Sequence, residues 1–160
     1  METPVTALEA IQAILAPALG ISAVGLLLLG LNNRYSSIIN RIRLLNDEKR
    51  RYFRQLADSV ELGYAEKTRF MSVTNQTREL LLRSRYVRNA IMAHLSAVGL
   101  FVATSTMIAL NLFVVSETLR RIPLVLFVGG MIGVLVGVVY SGLEIARSYR
   151  IILIEVHGDE

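Results

Sequence analysis

Residues 11–31 read IQAILAPALGISAVGLLLLGL, and this stretch of 21 residues contains no Lys, Arg, Asp or Glu. An α-helix rises about 1.5 Å per residue and the hydrocarbon core of a bilayer is about 30 Å thick, so about 20 apolar residues are needed to cross it. A secretory signal peptide begins with positive charge, whereas the first basic residue here, Arg34, follows the stretch. The stretch therefore predicts a retained transmembrane helix.

Two further stretches, 90–116 and 122–143, are also long enough to cross a bilayer and free of Lys, Arg, Asp and Glu. Together the three stretches predict an all-α membrane protein with three transmembrane helices in a single domain. A charged segment, 33–89, separates the first helix from the other two, and a tail, 144–160, follows the third. The chain has no cysteine, which excludes disulfides and Cys-ligated metals.

Basic residues are distributed unevenly around these stretches. The segment 33–89 carries 13 of the 17 Lys and Arg residues, and only Arg120 and Arg121 lie in the connection 116–123. Because basic residues near membrane segments are retained preferentially in the cytoplasm, we expect the N-terminus outside and both the charged segment and the C-terminus in the cytoplasm. The arginines nearest the membrane are expected to attract anionic headgroups. These are Arg34, Arg41, Arg43, Arg83, Arg85 and Arg88.

The charged segment contains two helical patterns whose seam residues are three and four apart, as at the a and d positions of a coiled coil. Gly63 lies between the patterns and predicts a helix end at which glycine's tolerance of positive φ is used. Since both arms, 33–62 and 64–89, begin or end at the membrane, we predict an antiparallel cytoplasmic helical hairpin with its turn near Gly63. The first seam is Tyr35, Ile38, Ile42, Leu45, Lys49, Tyr52 and Leu56, and the second is Phe70, Val73, Thr77, Leu80, Ser84, Val87 and Ile91.

The third stretch carries a face of small residues spaced four apart, and the first stretch has a shorter one. Transmembrane helices associate through close packing of small residues and through buried polar groups. The residues are Gly129, Gly133, Gly137 and Ser141 in the third stretch, and Ala16 and Gly20 in the first. This face predicts either packing against another helix of the same chain or self-association around a symmetry axis.

Few polar residues lie within or beside the apolar stretches. Asn111 is costly in lipid and is expected to face protein. His94 lies near the cytoplasmic end of the second stretch, where we expect it to be wetted. In a channel, rings of polar groups would line the pathway or its cytoplasmic mouth. The candidates are Asn32, Asn33, Arg34, His94 and Asn111.

The sequence has no motif that predicts catalysis. His94 and His157 are far apart and Glu144 and Glu155 are isolated, so no metal site is expected. No Gly-rich phosphate loop or nucleophile elbow occurs. The aromatic residues of the basic segment are scattered, which does not favour nucleic-acid binding. We expect no enzyme activity, no cofactor and no nucleic-acid partner.

The chain resembles a family of small bacterial integral membrane proteins described as a domain of unknown function. The resemblance begins with ILAPALGISAVGLLLLGLNNRY and IINRIRLLNDE and extends over most of the chain. The two segments that carry the resemblance most specifically are residues 31–34 and residues 41–46. It implies a bacterial inner-membrane location, and it implies no activity or site.

Two functions remain open from the sequence. The first is a non-enzymatic scaffold, or a regulatory or interaction subunit, that forms a homo-oligomer and offers its hairpin to a cytoplasmic protein partner. The alternative is a homo-oligomeric ion channel in which Gly129, Gly133 and Gly137 allow pore or gate helices to approach closely. Both place the chain in a lipid bilayer.

Overall fold

The computed structural model describes residues 7–57, 63–111 and 117–157, all but two of which (Gly63 and the turn residue Asn111) lie in three α-helices. Helix α1 spans Ala7–Ala57, α2 spans Tyr64–Leu110 and α3 spans Glu117–His157. No strand occurs in these three ranges. The all-helical prediction is therefore confirmed.

Each helix is much longer than its apolar stretch. Helix α1 has 51 residues and passes Asn32 and Asn33 without a break, and α2 has 47. Helix α3 has 41 residues and includes most of the predicted tail. It already begins at Glu117, so most of the predicted connection 116–123 is helical. Pro123 lies inside this helix, which membrane-spanning helices tolerate.

All three helices are long and apolar enough to cross a membrane. Only 17%, 22% and 17% of their most apolar windows are buried inside the chain. In water such exposure of Leu, Ile and Val would be unfavourable, whereas lipid tails solvate it. The helices are therefore compatible with embedding in a bilayer.

Gly63 forms the N-terminal cap of α2. Its carbonyl accepts a hydrogen bond from the backbone N–H of Lys67, and its own N–H donates to Oε2 of Glu66, both at 3.0 Å. This reach of the N3 carboxylate back to the cap is half of a capping box. The φ angle of Gly63 lies outside the left-handed region between about +20° and +160°, so the prediction that glycine's tolerance of positive φ is used here was wrong. The segment 58–62, which would complete the turn, lies outside the described residues.

The chain divides into two compact units, to each of which all three helices contribute. The first unit comprises Met1–Leu31 and Asn89–Gly142. Its most buried side chains include Val24, Ala97 and Phe101.

The second unit comprises Asn32–Arg88 and Leu143–Glu160. Its buried residues follow both predicted seams, because Ile38, Ile42 and Leu45 are buried on α1 and Val73 and Val87 on α2. All the other described seam residues of this unit are buried or half-buried. The side chain of Leu56 lies outside the described residues, and coiled-coil pairing of the two arms stays a prediction.

Candidate functional site

A buried carboxylate on α3 lies between two arginines that belong to the other helices. Glu144 is only 2% exposed. Its Oε2 accepts a hydrogen bond from Nη1 of Arg34 on α1 at 2.8 Å. Its Oε1 accepts hydrogen bonds from Nε and Nη2 of Arg83 on α2, at 3.2 and 2.9 Å. All three helices of the second unit therefore meet at one charged side chain, and we call these three residues the Glu144 cluster.

The Glu144 cluster carries a formal net charge of +1, because two guanidiniums face one carboxylate. A buried carboxylate is unfavourable unless it is paired and hydrogen-bonded. Here each oxygen accepts hydrogen bonds from its own arginine, so the loss of either arginine removes part of what stabilises a buried anion. The side chains of Arg34 and Arg83 are 46% and 34% exposed. The carboxylate is covered by the cluster while the cations remain accessible from outside.

A second contact joins α2 and α3 beside the cluster. The guanidinium of Arg147 on α3 stands 4.7 Å from the ring centroid of Tyr86 on α2. This distance is typical of a cation–π interaction. Because Arg147 follows Glu144 by three residues and Tyr86 follows Arg83 by three, both contacts lie on the same faces of α3 and α2. Together they fix how α3 is rotated against α2 in the second unit.

A further ion pair joins α1 to α2. Nε and Nη2 of Arg69 donate to Oε1 and Oε2 of Glu48 at 2.8 and 3.4 Å. This hydrogen bond lowers the pKa of the Glu48 carboxyl from its ordinary value and raises that of Arg69. The pair is exposed, and such pairs contribute little to stability. The ion pair shows that the part of α1 around Glu48 faces the part of α2 around Arg69.

Aromatic rings lie beside this ion pair. The ring of Phe70 on α2 meets those of Tyr52 and Phe53 on α1 edge-on, with centroids 6.1 and 5.5 Å apart. Nζ of Lys49 lies 5.9 Å from the ring centroids of both Phe53 and Phe70. Lys49, which breaks the apolar pattern of the first seam, therefore places its charge over aromatic faces.

In the first unit, the small face of α3 packs against α2. A Cβ added at Gly133 would lie 3.1 Å from the Cβ of Ala97. A Cβ added at Gly137 would overlap the imidazole ring of His94. Glycine is therefore required at position 137, and the two helices approach closely along this face.

Phe101 on α2 lies between the small residues of the other two helices. A Cβ added at Gly20 on α1 would lie 3.0 Å from its ring, and one added at Gly130 on α3 would lie 2.5 Å from it. On α3 the ring also meets that of Phe127, with centroids 5.6 Å apart. The glycines of α1 and α3 therefore make room for one large aromatic side chain.

The remaining members of the predicted small-residue set have other surroundings. Gly129 is near Leu100, at 3.4 Å from an added Cβ. The hydroxyl of Ser141 donates to the carbonyl of Gly137 at 3.0 Å, so it is satisfied within its own helix. Ala16 is exposed and lines a mostly apolar cavity of the first unit.

His94 is buried, with 1% of its surface exposed, so the expectation that it would be wetted was wrong. The reason is the missing side chain at Gly137, which leaves space for the ring. Nδ1 lies 2.7 Å from the carbonyl of Ala90, so that nitrogen carries a proton and donates it. Nε2 is buried and has no hydrogen-bond partner in the described part of the chain.

The other candidate pathway residues do not join His94. Asn32 and Asn33 are exposed on α1 in the second unit, and Arg34 there bonds Glu144. Asn111 lies in the first unit, 17 residues after His94, which is about 25 Å at helical rise. The structure therefore brings Arg34 into a cluster and leaves the others apart.

Sequence reasoning treated Glu144 as isolated, and that expectation was wrong. Its partners are 110 and 61 residues away along the chain, so no local pattern connects them. One signal was present. Glu144 stands between two apolar residues, Leu143 and Ile145, at the end of an apolar stretch, where an acid needs a partner. Two of the arginines assigned to headgroups, Arg34 and Arg83, are those partners.

In the described residues, no three His, Cys, Asp or Glu side chains are grouped so that they could hold a metal ion. The three helices are long and apolar enough to cross a membrane, so the chain belongs to the class of α-helical proteins suited to several membrane crossings.

Within that class the chain belongs to the family described as protein of unknown function (DUF2721), whose family model matches residues 14–154. This confirms the resemblance seen in the sequence. No curated protein and no solved structure matched the chain.

Proposed function

We propose that this protein is a non-enzymatic scaffold or interaction subunit of the bacterial inner membrane. The observation that carries the proposal is the Glu144 cluster, in which one buried carboxylate holds side chains of all three helices together. Because these hydrogen bonds hold the three helices of the second unit together, this unit can present a defined surface to a partner protein. The uneven distribution of basic residues supports an outside N-terminus and a cytoplasmic C-terminus.

The proposed surface is an antiparallel hairpin formed by the charged arms of α1 and α2. Two contacts support this direction. Arg34 and Arg83 share Glu144, and Glu48 pairs with Arg69. Glu48 is 14 residues after Arg34 on α1, and Arg69 is 14 residues before Arg83 on α2. Equal steps in opposite directions are the pattern of antiparallel helices.

The hairpin offers chemistry that suits an acidic protein partner. The segment 33–89 has 13 basic and 6 acidic residues. Exposed arginines lie along both arms of the described part: Arg41, Arg43, Arg50, Arg51, Arg54, Arg69, Arg78, Arg85 and Arg88. A positive surface of this kind increases the association rate of an oppositely charged protein.

Homo-oligomerisation is the second part of the proposal. The small face of α3 is already covered by α2 in the first unit, so copies of the chain would meet through other faces. Large apolar side chains remain exposed on α1 and α3, including Leu19, Leu26, Leu124 and Leu135. These faces are available to other copies in the bilayer as well as to lipid.

The channel is the second candidate. Its support is Nε2 of His94, a buried polar atom with no hydrogen-bond partner in the described part of the chain, because water in a pathway would satisfy it.

Native mass spectrometry and liposome recordings test both functions. We expect the wild type to be a defined oligomer that is electrically silent under voltage and tension. Leu135→Ala, which shortens one of these exposed apolar side chains, is expected to reduce the oligomer fraction, whereas Glu79→Gln, at an exposed position on α2 away from these faces, serves as the control and leaves it unchanged. A monomer would overturn the oligomeric scaffold, and reproducible single-channel currents that His94→Phe abolishes would establish the channel instead.

A further inference from the structure

Two contacts with α3 mark one side of the charged arms in the second unit. Arg34 on α1 and Arg83 on α2 both donate to Glu144 of α3, so both side chains point toward that helix. Successive residues of an α-helix are rotated by about 100°, so positions rotated by about 140–180° from Arg34 or Arg83 point away from α3. We call the surface that these positions form the open face. Its charged and apolar members include Arg43, Arg50, Lys67, Arg78, Leu81 and Arg85.

The open face is strongly basic. These five cations are all exposed, and among the described residues Asp47 is the one acid that the rotation places there. Glu48 and Glu79 lie about 40° from Arg34 and Arg83, so they belong to the α3 side. The side opposite α3 is therefore left with excess positive charge.

The cations of the open face are available to an outside partner. In the described part of the chain, no hydrogen bond, ion pair or cation–π contact involves Arg43, Arg78 or Arg85. By contrast, both arginines that reach α3 are paired with its carboxylate. An acidic partner on the open face would therefore not have to displace an existing ion pair.

Apolar side chains lie on and beside the open face. Leu81 is 47% exposed and Phe53 is 54% exposed. The ring of Phe53, on α1, meets that of Phe70 on α2, and Phe70 is rotated by about 140° from Arg83. Exposure of such side chains to water is unfavourable. The open face thus combines apolar groups with flanking cations, and an amphipathic helix with acidic and apolar sides matches this pattern.

The length of the open face argues against lipid as its occupant. Lys67 and Arg85 are 18 residues apart on α2, which is about 27 Å at helical rise. On α1, Arg50 lies 19 residues beyond Leu31, where the first apolar stretch ends, and this is about 28 Å along the helix. Headgroups extend only about 5–8 Å beyond the hydrocarbon. They reach only the end of the open face that is nearest the membrane.

A second copy of the chain is also a poor match. A symmetric contact through the open face would bring Arg43, Arg78 and Arg85 against the same residues of the other copy. Like charges oppose such a contact.

We propose that the open face docks an acidic amphipathic helix of a partner protein, which packs as a fourth helix beside α1 and α2. Its apolar side chains lie on Leu81 and Phe53, and its carboxylates pair with Arg43, Arg78 and Arg85. The inference rests on the proposed antiparallel hairpin, which brings the two arms side by side. It narrows the partner surface from the whole hairpin to one face and gives the partner a helical form.

Binding of a synthetic peptide to the full chain in phosphatidylcholine nanodiscs tests this inference. The probe is a fluorescent peptide of about 18 residues, the length of the open face, with leucines spaced three and four apart and glutamates between them. A peptide of the same composition in scrambled order is the reference. We expect the patterned peptide to bind about tenfold more tightly by fluorescence anisotropy, because only its helix separates leucines from carboxylates.

Two matched double variants test the charges. Arg43→Gln with Arg78→Gln should weaken binding of the patterned peptide about fivefold, the effect of losing two exposed ion pairs. Arg41→Gln with Arg51→Gln removes the same net charge from exposed positions. These positions are rotated by about 20° and 100° from Arg34, outside the open face, so this variant should change the affinity by less than about twofold.

Two leucine variants test the apolar contact. Leu81→Ala should weaken binding about fivefold, because part of its apolar surface is covered in the complex. Leu44→Ala is the matched control, since Leu44 is 64% exposed but is rotated by only about 80° from Arg34. It should leave the affinity unchanged. Equal binding of the two peptides, or equal effects within either pair of variants, would overturn the proposal.

The other occupants give different results. A bimane label on Leu81→Cys that shifts to the blue in phosphatidylglycerol nanodiscs without peptide would assign the open face to lipid. A lower oligomer mass of Arg43→Gln with Arg78→Gln would assign it to a second copy. Either result would overturn the docking of an acidic helix.

The hairpin itself is checked independently with Glu48→Cys and Arg69→Cys, which a short bis-maleimide joins only if the two arms pair. A crosslink without binding of the patterned peptide overturns the docking face alone, whereas the absence of a crosslink overturns the hairpin on which it rests. The scaffold also has its own readouts, oligomer mass and electrical silence, so its failure can be told apart from that of the docking face.

Discussion

The Nη2 atom of Arg83 lies 2.9 Å from Oε1 of Glu144, although the two residues are 61 positions apart in the chain. Arg83 belongs to α2 and Glu144 to α3, and the second oxygen of the same carboxylate is bonded by Arg34 from α1. A single acid therefore satisfies two arginines from different helices. Because the carboxylate is almost fully buried and the arginines are not, the energetic consequence of removing each member differs.

Replacing Glu144 with Gln is expected to destabilise the protein by about 2 kcal/mol. This is less than the roughly 3–5 kcal/mol for breaking a fully buried pair, because both arginine side chains are partly exposed and are not left as buried charges. Arg83→Gln should destabilise more than Arg34→Gln, since Arg83 donates two hydrogen bonds and Arg34 one. Equilibrium unfolding in detergent micelles measures these differences.

The control for this series is Glu79→Gln, which removes an exposed acid from α2 and should change stability by less than about 0.5 kcal/mol. A double variant that removes both Glu144 and Arg83 should be more stable than the sum of the single effects predicts. Additive effects would show that the two side chains do not interact.

Gly137→Ala is expected to destabilise the protein by about 1–3 kcal/mol, the range for an overfilled core, because the added methyl would overlap the ring of His94. Gly142→Ala is the matched control, five residues further along the same helix. A Cβ at Gly142 meets nothing within 4 Å, so this variant should be neutral or slightly stabilising, as alanine favours helix over glycine. The midpoint of thermal unfolding distinguishes the two.

A second-site change tests the cause of this effect. Combining Gly137→Ala with His94→Ala removes the ring that the methyl would strike, so the penalty of Gly137→Ala should largely disappear in that background. If the penalty persists without the histidine ring, the contact between α2 and α3 at this point is not what requires glycine.

How much the sequence reveals depends on whether a feature is local. Charge-free stretches predict the three apolar helices, and alternating steps of three and four predict the buried residues Ile38, Ile42 and Val73, because both signals depend only on neighbours along the chain. Composition does not give the rotation of one helix against another. The rotation of α3 buries Glu144 while its sequence neighbours Leu143 and Ile145 stay exposed, and it places His94 against Gly137. The sequence therefore does not predict the burial of Glu144 or of His94.

The exposed pair of Glu48 and Arg69 gives a prediction about pH. The hydrogen bond from Arg69 lowers the pKa of Glu48 below its ordinary value of 4.5. The pair therefore stabilises the folded state fully above that pH, and its contribution is lost as the pH falls through the lowered pKa. NMR titration of the Glu48 carboxyl should show a higher pKa in Arg69→Gln than in the wild type.

Arg78→Gln is the control for this titration, because Arg78 is exposed on α2 and does not contribute to the shift at Glu48. It should leave the titration of Glu48 unchanged. An Arg69→Gln variant that titrates like the wild type would mean that the two helices do not hold this pair together in solution.

The orientation in the membrane can be tested with single cysteines, because the chain contains none and unmodified protein gives no background. Three exposed positions report on the two sides: Arg121, predicted outside, and Gln55 and Ala146, predicted in the cytoplasm. In intact spheroplasts, a membrane-impermeant maleimide should label Arg121→Cys alone, and permeabilisation should expose the other two. Labelling of Gln55→Cys before permeabilisation, with Arg121→Cys protected, would invert the topology. It would also place the open face outside the cell, since Gln55 and Arg50 lie on the same arm of α1.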